Sequence, residues 1–280
     1  MSNGQSMIIE NVQFEVCANS VESCIAAQQG GADRVELCAG IPEGGTTPSY
    51  GEIKQARQML DEGVRQGLKA TRLHVIIRPR GGDFLYTELE LQRMADDIRV
   101  SRELGAGGVV FGCLRPDGSL DTEANARLIE AARAQLPTIN QQPAAASVKT
   151  SVTFHRAFDR CANPAEALEE LVRQGFDRIL TSGQQPTAEL GIPLLKTLNE
   201  QAHGRIILLA GCGVNEQNIR RIHEGTGITE FHFSAREPLH SRMLFANPDV
   251  YMGAKGADED TILRTTARRV RATIERLSDL

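Results

Sequence analysis

Tryptophan is absent from this 280-residue sequence and aromatic residues make up only 4% of it, so platforms on which bases or sugars would stack are not expected. No apolar run approaches the ~18 residues that a membrane helix requires, and residues 1–11 hold neither a Lys or Arg nor an apolar run of signal-peptide length. These gaps argue for a cytoplasmic protein without a membrane partner. A net charge of −5 with Lys and Arg scattered along the chain lacks the basic stripe of a nucleic-acid footprint. The six cysteines, at 17, 24, 38, 113, 161 and 212, never form a C-x-x-C pair. In a cytosol they stay reduced, and any metal site must be assembled from distant strands. None of the lysines falls at the carboxyl end of an expected strand, which leaves a Schiff-base aldolase without its nucleophile. No G-x-G-x-x-G follows the first expected strand, which argues against a doubly wound open sheet.

What the chain does contain is a regular alternation. Short β-prone runs at 13–17, 34–38, 72–77, 108–111, 151–154, 178–181, 205–210 and 230–233 alternate with helical patterns at 21–29, 50–65, 89–104, 121–135, 164–174, 192–202 and 216–224. A final helix is expected over 261–277. The turns Gly30-Gly31-Ala32-Asp33-Arg34-Val35, Leu104-Gly105-Ala106-Gly107-Gly108-Val109 and Gln174-Gly175-Phe176-Asp177-Arg178-Ile179 echo one another at intervals of 74 and 70 residues, each holding two βα units. The pattern predicts an α/β fold, one (β/α)8 TIM barrel, whose usual length is ~250 residues. Residues 1–11 would be a short extension, 136–150 an inserted loop, and 236–280 a polar loop plus the last helix.

Within that frame a Glu-x-Cys pair occurs twice, as Glu15 with Cys17 and Glu36 with Cys38. Side chains alternate along a strand, so on neighbouring strands both acids and both thiols face one space. Barrel sites lie at the carboxyl ends of the strands, where the sequence also places Arg78, Arg80, Asp83, Cys113, His155, Arg156, Asp159, Thr181, Ser182 and the run from Gly211 to Asn215. His74, Thr153 and His232 would lie one step deeper. Arginine holds carboxylate or phosphate with paired donors, so Arg78, Arg80 and Arg156, with Ser182, Gly211 and Gly213, read as an anion site. The glycines read equally well as a tight turn. His155 stands squarely at a strand end and reads as a general acid or base tuned by Glu15 or Glu36, with Arg78 beside it. Cys17 and Cys38, at one level on adjacent strands, could coordinate Cu(I) as soft thiolates, or simply fill space as small buried side chains.

The same loops carry a family resemblance. Glu36-Leu37-Cys38, Glu43-Gly44-Gly45-Thr46-Thr47-Pro48-Ser49, Arg78-Pro79-Arg80-Gly81-Gly82-Asp83-Phe84, Thr153-Phe154-His155-Arg156-Ala157-Phe158-Asp159 and Leu180-Thr181-Ser182-Gly183 resemble the CutC family of copper homeostasis proteins across about residues 13 to 235. The resemblance implies a cytosolic TIM-like barrel, usually a homodimer, with copper bound or trafficked through cysteines near the strand ends, a role that Cys17 and Cys38 fit. Cys212, the inserted loop and the tail beyond Ala235 depart from the family pattern without touching the pocket motifs.

Two functions are therefore expected. One is Cu(I) binding or trafficking through Cys17 and Cys38. The other is a barrel enzyme acting on a small anionic substrate, phosphorylated ones included, through Arg78, Arg80, His155, Glu15, Glu36 and the Gly211 to Gly213 loop. The apolar side chains Met243 to Phe245 could serve a dimer interface.

Overall fold

A computed structural model describes residues 12–135, 149–245, 247, 249–253 and 258–278. The extension at 1–11 and most of the inserted loop at 136–150 lie outside the described residues. Eight parallel strands close into a barrel: β1 (Gln13–Ala18), β2 (Arg34–Leu37), β3 (Arg72–Ile76), β4 (Gly108–Phe111), β5 (Ser151–Phe154), β6 (Arg178–Thr181), β7 (Ile207–Gly211) and β8 (Glu230–Phe233). Between them run α1 (Val21–Gln29), α2 (Tyr50–Arg65), α3 (Glu88–Glu103), α4 (Thr122–Arg133), α5 (Pro164–Gln174), α6 (Ile192–Ala202) and α7 (Ile219–Thr226). The neighbours follow the chain order, and β8 returns to pair with β1. The barrel expected from the alternation is the barrel found.

Local chemistry sets the helix ends. Ser49 with Glu52, and Thr87 with Glu90, form reciprocal capping boxes that satisfy otherwise unpaired amides at the starts of α2 and α3. Asn163 caps α5 ahead of Pro164, whose fixed φ suits the first helical position. Each strand then divides its side chains between two environments. Val16, Val35, Leu37, Val75, Val109, Phe111, Val152, Ile179 and Phe231 are buried in the hydrophobic core. The alternate residues are polar and equally buried, among them Glu15, Arg34, Glu36, His74, Thr153, Arg178 and Glu230.

Two expectations change. The strand-seven helix begins at Ile219 rather than Glu216, because Asn215 and Asn218 hold the preceding residues in a side-chain-bonded turn. The last helix does not begin at Thr261: Thr261–Thr265 is a strand, β10, paired antiparallel with β9 (Arg236–His240), and α8 spans Ala267–Ser278. The β-branched Thr261, Ile262 and Thr265 favour that pairing, and the Thr265 amide meets the Ser23 hydroxyl at 3.3 Å. α8 then packs against both α1 and α7, completing the outer ring of helices.

Candidate metal and ligand site

Register decides which polar side chains meet. Glu15 lies opposite Arg34 on β2 and His232 on β8, Cys17 lies opposite Glu36, and Glu36 lies opposite His74 on β3. The deepest layer is ionic. The Arg34 guanidinium contacts Glu15 through Nε and reaches Glu230 at 2.7 Å, and Glu230 accepts from Arg178 Nε, also at 2.7 Å. Arg34 is fully buried, a placement tolerable because two carboxylates face it.

Above that layer stand the thiols. Cys17 and Cys38 Sγ are 3.8 Å apart. His232 Nδ1 lies 2.7 Å from Glu15 Oε1, and its Nε2 is 3.7 Å from Glu36 Oε2. Burial, the largest influence, pushes the Glu15 carboxyl up, but Arg34 and then His232 hold it well below the usual carboxylate range. An ionised carboxylate only accepts, so His232 Nδ1 carries a proton, and Nε2 is turned toward Cys17 and Glu36.

The two thiols share a proton unevenly. Cys38 holds Cys17 well below an ordinary thiol, against the opposing effect of burial and with help from His232 and Arg236, whose guanidinium is 3.2 Å from the sulfur. Cys38 is pushed well above the ordinary value by Cys17 and by burial, and it faces Glu36 Oε2 at 3.5 Å. Burial takes the Glu36 carboxyl up to about 8; His232 opposes that rise and the Cys17 thiolate adds to it. His232 is lifted well above the usual imidazole range, since Cys17 and Glu15 together outweigh its burial. Cys17, Glu36 and His232 each present one ligand atom, all within 4.8 Å of one another.

This cluster forms part of the lining of a cavity of about 320 Å³ that Arg78, Phe84, His155 and Arg156 also line. The structure thus brings Cys17, Glu36, Cys38, Arg78, His155 and Arg156 to one space, with Glu15 beneath it. Arg78 spends three N–H groups on loop carbonyls, those of Glu43 (2.6 Å), Gly45 (2.9 Å) and Gly82 (2.8 Å). His155 Nδ1 accepts from the Ala157 amide at 3.3 Å, while burial and then Arg78 push its imidazole down to about 3. Arg156 pairs with Asp159 at 2.7 Å and donates to Ser182 Oγ at 3.1 Å.

Arg80, Ser182, Gly211 and Gly213 are not among the residues lining this cavity. Arg80 pairs with Glu90 and Asp83 and lies over the Tyr86 ring. Ser182 donates to the Gln185 carbonyl at 2.6 Å. Both glycines have steric reasons: a Cβ on Gly211 would come within 2.5 Å of Leu180, and Gly213 has φ +72.

Arg34, Arg178 and Glu230, which build the ionic layer, are not among the site residues that the sequence singles out, and His232 is expected only one step below the strand ends. The signal was present. Arg34 stands two residues before Glu36, and Glu230 two before His232, so the same alternation puts each pair on one face.

The CutC family model matches residues 12–237. The chain belongs to the CutC family. It is 60% identical to a family protein CutC from Bacteroides thetaiotaomicron over 268 residues, 95% of this chain and 98% of that one. It is 44% identical over 264 residues to the human copper homeostasis protein cutC homolog, covering 94% of this chain and 88% of the relative. A crystal structure of a CutC protein from Streptococcus agalactiae superposes with a TM-score of 0.70 at 34% identity, over 80% of this chain and 99% of that one. Thiamine phosphate pyrophosphorylase from Pyrococcus furiosus, 18% identical with a TM-score of 0.54 over 96% of both chains, shares the fold alone. The specific CutC motifs read from the sequence sit around the cavity: the Glu36 and Cys38 strand end, the Arg78 loop, and the turn from His155 to Asp159.

Proposed function

We propose that this CutC protein takes part in copper homeostasis by holding Cu(I), as cargo, between Cys17, Cys38 and His232. The observation that carries the reading is the thiol pair 3.8 Å apart. Thiolate–metal bonds of ~2.3 Å set two sulfurs of a trigonal site roughly 4 Å apart, so these sulfurs need little movement to share one ion. Soft thiolates favour Cu(I), and imidazole suits copper as well.

His232 completes the donor set: its Nδ1 donates to Glu15, and Cu(I) would displace the Nε2 proton and take that nitrogen as the ligand atom. An imidazole backed by a carboxylate in this way has a fixed tautomer, a fixed ring orientation and a raised basicity. Glu36, a harder oxygen donor, is assigned outside the copper set and beside Cys38. The reading includes a cytosolic location, supported by six free cysteines, and a homodimer, supported by the exposed Met243, Leu244 and Phe245.

The test is anaerobic loading with Cu(I), removal of loosely held metal by a weak chelator, and elemental analysis. The wild type is expected to retain stoichiometric copper and the Cys17→Ser/Cys38→Ser double variant almost none. Equal retention by both would refute the assignment.

A further inference from the structure

We propose that the cavity above the thiols is a second binding site, one that takes a small organic carboxylate. Its size is the first reason. At about 320 Å³ it lies in the range of small-molecule pockets, ~300–1,000 Å³, and far exceeds the ~30 Å³ that one water occupies in the liquid. A single metal ion at the floor does not account for it.

The second reason is a buried cation that no carboxylate reaches, since Glu36, on the same cavity, is turned to Cys38 and His232. Arg78 is 4% exposed, three of its five N–H groups are spent on loop carbonyls, and its Nε has no hydrogen-bond partner. Among the described residues no carboxylate comes within ion-pair distance of it. Buried charge calls for a counter-charge.

His155 supplies a second idle donor. Because Nδ1 accepts from the Ala157 amide, the ring proton sits on Nε2, and that nitrogen is buried without an acceptor. The two donors flank one ring: Phe84 is 4.9 Å from the His155 ring and 5.0 Å from the Arg78 guanidinium carbon. At the rim, exposed Arg160 has no hydrogen-bond or ion-pair partner among the described residues, whereas Asp159 is already spent on Thr181, Ser182 and Arg156. Glu43 is also exposed at the rim, where solvent screens its charge.

The remaining wall selects the rest of the ligand. Ile41, Ile76, Phe84 and Leu180 offer apolar surface for a short hydrocarbon chain. Phosphate, which favours a nest of backbone amides, is a poorer match: of the glycines lining the cavity, Gly44 and Gly45 already donate their amides to the Ile41 and Gly40 carbonyls. The inference rests on Arg78 and His155 rather than on the sulfurs, so it applies to metal-free protein and stands or falls separately from the copper reading.

Isothermal titration of the full chain, stripped of metal, with butanoate, succinate and inorganic phosphate tests it. The expected result is saturable binding of butanoate or succinate, tighter than phosphate. His155→Leu should weaken that binding by about tenfold or more, as the loss of a hydrogen bond to a charged group implies, with Cu(I) retention unchanged. Arg78 also ties the loops together, so its variants are avoided. Should His155→Leu fail to fold, the surface variant Arg160→Gln carries the same test, with weaker carboxylate binding expected. No saturable carboxylate binding, a preference for phosphate, or unchanged affinity in a folded His155→Leu would each overturn the proposal.

Discussion

Behind His232, Glu15 accepts a hydrogen bond from Nδ1 at 2.7 Å and is itself held by Arg34. Its part in the copper reading is to orient the imidazole that lies against Cys17. Glu15→Gln keeps the shape but replaces the anion, and losses of such supporting partners commonly cost ~10–100-fold in metal affinity. A fall of that size in Cu(I) affinity is expected by competition with a chromophoric Cu(I) chelator, with the far-ultraviolet dichroism unchanged. His155 makes a different prediction. It titrates near ~6.5 in an unfolded chain and at about 3 in the folded one. Between those values the unfolded state binds a proton that the folded state does not, so stability rises with pH there. Acidification through the window should lower the unfolding free energy by up to roughly 1.4 kcal/mol per pH unit. Above the unfolded value the His155 contribution is constant. The difference in unfolding free energy between wild type and His155→Phe, from urea unfolding across the window, should show this slope, because Glu36, raised to about 8, titrates with the opposite sign in both proteins.

At the scale of elements, α1 ends at Gly30 directly under α8. A Cβ on Gly30 would come within 2.5 Å of Val270 Cβ and 3.0 Å of the Ala267 carbonyl, so the two helices approach as closely as they do because that position has no side chain. Gly30→Ala should therefore destabilise by about 1–3 kcal/mol through overpacking. Adding Val270→Gly, which removes both the Cβ and the Cγ1 that a side chain at position 30 would strike, should recover part of that overpacking, a non-additivity that denaturation of the single and double variants would reveal. The helix caps and strand runs were legible in the sequence because they depend on neighbours a few residues away. Tyr50–Arg65, Pro164–Gln174, Arg178–Thr181 and Glu230–Phe233 all stand where the periodicity places them. Thr261–Thr265 did not read as a strand because its partner, Arg236–His240, lies across a long connection, and a β-branched run beside a helical pattern merges with it.

At the scale of the whole molecule, barrel closure creates what alternation could not reveal. The doubled Glu-x-Cys predicted which side chains share a face. Which of them meet depends on β8 returning to β1, and that return sets His232 against Glu15. The same closure joins Arg34, Glu230 and Arg178 into one buried layer beneath the thiols, across elements up to 196 residues apart. No helix among the described residues is long and apolar enough to cross a membrane. The copper assignment draws on all three scales, and X-ray absorption of the anaerobic, Cu(I)-loaded protein probes it directly. The account predicts a first shell of two sulfurs and one imidazole nitrogen, with one sulfur lost in Cys17→Ser. A shell of oxygen and nitrogen alone, or a sulfur signal unchanged in the Cys17→Ser/Cys38→Ser variant, would contradict it.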